Sequence, residues 1–132
     1  MKTKERLILS KEDFDIIMVN LKGAGKRTGF SQQEADELEE ELKGAKIVSN
    51  DEFPPDVVRL NSVVTVKEEV GGKVLKITLV PPPKADIKKM HISVLSPIGT
   101  ALIGYRKGSR VSWKVPAGQK TFTILDVENN FP

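Results

Sequence analysis

The only histidine is His91, and there is no cysteine. With no second histidine for a metal, and no serine or acid placed to complete a triad, His91 reads as a structural residue at the start of a strand. The missing thiols exclude disulfides, thiolate zinc sites and cysteine nucleophiles together, and fit a reducing cytoplasm. Asp36, Glu37, Glu39, Glu40 and Glu41 suggest a metal cluster or a nucleic-acid mimic at first sight. Consecutive helix positions point around the axis rather than at one spot, however, so a solvated helix face is expected. Lys22, Lys26 and Arg27 stand among Gly23, Gly25 and Gly29. Without a Walker pattern or a preceding buried strand they read as a solvated basic turn rather than a phosphate cradle. No cofactor is implied by any of these groups. Ser96-Pro97 reads first as a helix start, with the Ser96 hydroxyl as cap for the residues that follow.

The elements that would position that pair are readable on either side of it. Ile92 to Val94 suits a half-buried strand. Ser96 is a ready N-cap, and Pro97 falls at the first helical position, where its missing N–H costs nothing. Ile98, Ala101, Leu102 and Tyr105 then recur at i, i+3, i+4 and i+7, giving one apolar face. Gly104 and Gly108 limit this helix to two or three turns, so it must dock on a sheet to be stable.

Upstream, Leu7-Ile8-Leu9 is a short strand or a packed lead-in. Ser10-x-x-Asp13 opens a helix with Phe14, Ile17, Met18 and Leu21 on one face, and Ser31-x-x-Glu34 opens a second with Ala35, Leu38, Leu42 and Ala45. The two read as a short antiparallel hairpin with the basic loop at its tip, residues 1–50 forming one unit. Asn50 to Pro55 breaks the helix and links it to residues 51–132. There the period changes: Val57 to Val66 and Lys73 to Val80 read as strands around a turn at Glu68 to Gly72, with Pro81-Pro82-Pro83 as a stop. His91 to Val94, Ser109 to Val115 and Thr121 to Glu128 add three more. Five strands and one helix make an α+β domain with a mainly antiparallel sheet.

The chain has 132 residues, 39% of them hydrophobic and 30% charged, which suits one globular core and a small appendage. No run approaches the ~20 apolar residues of a membrane span, so no membrane is expected as a partner. The net charge of +3 conceals a division: about +3 over residues 1–30, −7 over 31–56 and +7 over 57–132. An acidic stretch beside the basic domain would repel a phosphate backbone, so an acidic protein surface is the better partner and no sequence-specific nucleic-acid binding is expected.

Asn61 to Val66 (NSVVTV), Lys84 to Ile87 (KADI), Ile92 to Gly104 (ISVLSPIGTALIG), Lys107 to Val111 (KGSRV) and Val115 to Val127 (VPAGQKTFTILDV) resemble the C-terminal domain of the Gre transcript-cleavage and elongation factors of bacterial RNA polymerase. The short hairpin and the entry Pro54 to Ser62 look closer still to the Rnk-like branch of that family. The resemblance implies an FKBP-like fold that docks on a coiled coil of the largest polymerase subunit, at the rim of the secondary channel. It implies docking through an acidic-Ser-Pro loop, mapping here to Leu95, Ser96, Pro97 and the neighbouring Ile98. Ser96 and Pro97 match; Leu95 replaces the acid, where it would offer an apolar contact.

Gre factors also carry a long coiled coil whose acidic tip helps to hold a catalytic metal. Here the hairpin is short and its tip carries Lys22, Lys26 and Arg27, which cannot ligate Mg²⁺. The expectation is a non-enzymatic transcription regulator that occupies the channel entrance without stimulating cleavage, in competition with true Gre factors. The alternative is an FKBP-like prolyl isomerase or chaperone. Against it, only Tyr105, Trp113 and Phe122 are central aromatics, too few to line such a pocket.

Overall fold

A computed structural model describes residues 7–24, 32–115 and 118–129. Five strands form the main sheet: β3 (Val63–Glu68), β4 (Val74–Val80), β5 (His91–Ser93), β6 (Arg110–Val115) and β7 (Gly118–Glu128), in the spatial order β5-β4-β3-β7-β6. All neighbours are antiparallel except β4 and β5. Period-2 alternation sends Val64, Val66, Ile77, Leu79, Phe122 and Ile124 inward, while Lys67, Val74 and Lys76 face solvent. Gly71 and Gly72 take left-handed conformations in the β3–β4 turn, as the Gly-Gly signal predicts. Pro81 ends β4, and single 3₁₀ turns follow at Pro82–Lys84 and Ile87–Lys89.

The first helix, α1 (Lys11–Ala24), starts where the capping residue Ser10 predicts, with Asp13 N–H donating to Ser10 Oγ at 3.1 Å. Ile17 and Leu21 are buried and Phe14 and Met18 pack beside them. The second helix, α2 (Gln32–Lys43), buries Leu38 and Leu42. Both stripes join the same apolar cluster as the inner face of the sheet, with α1 lying against α2 and against the short segments Ile8–Ser10 and Lys46–Val48. A third helix, α3 (Pro97–Leu102), is shorter than its apolar spacing predicts, because Ile103 turns to extended backbone and Gly104 to φ +83°.

Three local readings need correction. Val57 to Val66 is not one strand: Val57 makes only an isolated bridge to Arg106, and β3 begins at Val63. Between them Ser62 N–H donates to Arg59 O and Asn61 sits at φ +73°, a tight turn that β-branched composition conceals. A strand at Lys46–Val48, β2, was not expected; it pairs in parallel with β1 (Ile8–Ser10). The final strand starts at Gly118, three residues before Thr121.

Candidate functional site

The loop between β5 and α3 is held by its own short side chains. Ser93 Oγ accepts from Leu95 N–H at 3.0 Å, and Ser93 O accepts from both Ser96 N–H and Ser96 Oγ, the latter at 2.7 Å. Ser96 Oγ in turn accepts from Gly99 N–H at 3.0 Å. The expected cap is therefore formed, with Pro97 at the first helical position. Two of this helix's orphan donors, Ser96 N–H and Gly99 N–H, are satisfied in this way, and Thr100 N–H to Ser96 O is the first regular helical bond. Ser96 and Ile98 are partly exposed. Leu95 is only 1% exposed and belongs to the core, so the apolar contact expected from its side chain is absent from the surface.

Gly99 makes the geometry possible. A Cβ there would lie 2.1 Å from Ser93 O, so only glycine lets α3 approach the backbone of β5 this closely. Gly104, after the helix, accepts from Ile8 N–H and donates to Val58 O, while Val58 N–H donates to Tyr105 O. One loop thus ties α3 to both β1 and the segment that enters β3.

Lys22 lies in the last turn of α1; Lys26 and Arg27 fall outside the described residues. On α2, Asp36, Glu37, Glu40 and Glu41 are exposed, and Glu39 pairs with Lys43 at 3.0 Å. No group of three or more metal-ligating side chains forms among the described residues. His91 exchanges two backbone hydrogen bonds with Asp86.

A second constellation escaped sequence reading. Asp13 and Arg59 are both buried, with Arg59 Nε 3.5 Å from Asp13 Oδ2, and the same oxygen accepts from Leu60 N–H at 3.0 Å. Arg59 also donates to Ser10 Oγ and lies over the Phe53 ring, 4.7 Å from its centre. Burial raises the Asp13 carboxyl above its ordinary value, opposed by the Leu60 hydrogen bond and by Arg59. This pair floors an open cavity of about 630 Å³ between the start of α1 and the Phe53-Pro54-Pro55 linker. The sequence signal was Arg59 itself, a charge between Val58 and Leu60 in an apolar run.

Residues 41–129 match the family described as transcription elongation factor, GreA/GreB, C-term. The regulator of nucleoside diphosphate kinase of Escherichia coli K12 is 39% identical over 95 residues, covering 71% of this chain and 70% of that protein. The transcription elongation factor GreA of Pelobacter propionicus is 36% identical over 105 residues, covering 80% of this chain and 66% of that one. Among solved structures, a prokaryotic transcription elongation factor GreA/GreB from Nitrosomonas europaea superposes with a TM-score of 0.76 and 31% identity, covering 96% of this chain and all of the other.

Proposed function

Because this chain belongs to the GreA/GreB transcription elongation factor family, we propose that it regulates transcription by binding bacterial RNA polymerase at the rim of the secondary channel, without stimulating transcript cleavage. The observation that carries this reading is the loop at Ser96: it lies within the matched region and its backbone is fixed before any partner arrives. A preorganised loop loses little conformational freedom on docking. In this reading the contact falls at Ser96, Pro97 and Ile98, while Leu95 stays in the core.

In this reading residues 51–132 are the docking domain, FKBP-like in architecture, and residues 1–50 are a short helical arm. At 14 and 12 residues, α1 and α2 are about 21 and 18 Å long, stubby for an element that must reach an active site through a channel. The sequence from the end of α1 toward α2 carries Lys22, Lys26 and Arg27 rather than carboxylates, which removes the ligands that cleavage stimulation needs. The protein then acts in the cytoplasm as an occupant of the entrance, competing with cleavage factors for the same rim.

Co-purification with core RNA polymerase tests the docking. Retention of the wild type and its loss on Pro97→Ala would support it, and no retention at all would refute it. A backtracked polymerase tests the arm: transcript cleavage should stay at its basal rate or fall when the protein is added. Enhanced cleavage would overturn that half of the reading.

A further inference from the structure

The six residues from Asp86 to His91 form a turn whose outward side chains have no structural work to do. Its backbone is nearly saturated. Asp86 and His91 exchange two hydrogen bonds, at 2.9 and 3.0 Å; Lys88 N–H donates to Asp86 Oδ1, Lys89 N–H to Asp86 O, and Met90 N–H to Ile87 O. Met90 closes the turn at φ +59°, packs against the core, and its carbonyl accepts from Thr78 N–H of β4. At the tip of this fixed frame Ile87 is 77% exposed.

Lys84, Lys88 and Lys89 flank Ile87 in sequence, all exposed, and none has a carboxylate partner among the described residues. Lys11, Lys43, Lys76, Lys107, Arg110 and Lys120 each pair with an acid, whereas these three stand together in one short stretch with none. The nearest acid, Asp86, is spent on the turn's own backbone. One exposed isoleucine is ordinary on a protein surface. An isoleucine held forward on a hydrogen-bonded turn, with lysines that lack acid partners before and after it, has the makings of an interface anchor with a polar rim.

We propose that the Lys84–Ile87–Lys88–Lys89 turn is a second docking element, which seats Ile87 in an apolar notch of an acidic protein surface while the three lysines meet carboxylates at its edge. The partner is protein rather than nucleic acid, because the exposed tip at Ile87, Lys88 and Lys89 has no aromatic ring for a base to stack on and its leading group is aliphatic. It stands at the start of β5, and the Ser96 loop follows the end of that strand. About 10 Å of strand separates them, so one partner can touch both. The proposal rests on the polymerase reading and adds to it a contact outside the Ser-Pro loop.

The test is the affinity of the full chain for core RNA polymerase at low and high salt. Ile87→Ser should weaken binding about 10-fold while leaving its salt dependence intact, and Ile87→Leu should restore it. The triple variant Lys84→Gln, Lys88→Gln, Lys89→Gln should weaken binding at low salt and flatten the salt dependence. Wild-type affinity in Ile87→Ser overturns this proposal and leaves polymerase docking standing. A triple variant that loses affinity for duplex DNA, with polymerase binding unchanged, overturns it in favour of a nucleic-acid surface. A wild type that does not bind polymerase refutes both readings together.

Discussion

At Gly99, replacing one hydrogen by a methyl group sets a Cβ against the Ser93 carbonyl and 2.9 Å from Val94 Cα. Neither obstacle is a flexible side chain, so Gly99→Ala must push α3 away from β5. We expect a loss of about 3 kcal/mol or more by urea unfolding. Ser96→Ala removes only the cap and should cost about 1 kcal/mol. The difference separates a residue that shapes the β5–α3 loop from one that pins it. Asp13 makes a pH-dependent case. Its folded carboxyl holds a proton more readily than the unfolded one, so in the window above the ordinary value of 3.8 the folded state binds the extra proton. Its contribution therefore falls as pH rises through that window and is recovered on acidification. Relative to Asp13→Asn, the wild type should gain stability as pH drops from neutral toward 4, then level off, in unfolding curves taken across that range. At any pH near neutral, Asp13→Ala should cost about 3–5 kcal/mol, because Arg59 stays buried without its carboxylate. Ser96 was legible because its role is local, written in the next few residues. The Asp13–Arg59 pair was not, because its members stand 46 positions apart and only the fold brings them together.

At the scale of elements, the readable signals were periodic ones. The alternation of Leu75, Ile77 and Leu79 against Val74, Lys76 and Thr78 fixed which face of β4 turns inward, and the helical spacing of Ile17, Leu21, Leu38 and Leu42 fixed the buried sides of α1 and α2. Three-residue elements carry no period. Lys46–Val48 follows directly on α2 and becomes a strand only because Leu7 and Ile8–Ser10 lie beside it. The helix α3 is likewise a tertiary product, too short to form alone. The join between these pieces is Gly104, where an added Cβ would meet Leu7 Cβ at 3.0 Å and the backbone is left-handed. Gly104→Ala should destabilise the protein and raise hydrogen exchange at Ile8 and Val58 together, since both amides belong to that one hub. Exchange that rises at only one of them would show that the hub is not shared.

For the whole molecule, the exposed acids of α2 and the exposed lysines that follow β4 belong to different elements. Glu37, Glu40 and Glu41 line the outside of α2, while Lys84, Lys88 and Lys89 stand beyond β4. Binding to an acidic partner should therefore be orienting and salt-sensitive: raising ionic strength should slow association more than it speeds dissociation, as read by stopped-flow against core polymerase. The apolar cluster, by contrast, has no seam between α1, α2 and the sheet. Leu7, Leu9, Ile17 and Leu42 are as much part of it as Val64 or Ile124. In mechanical terms the helices are a beam set into masonry rather than an oar in a rowlock. A load on the outer turns of α1 is carried through β1 to Gly104 and so to the far end of the six-residue helix that Ser96 caps.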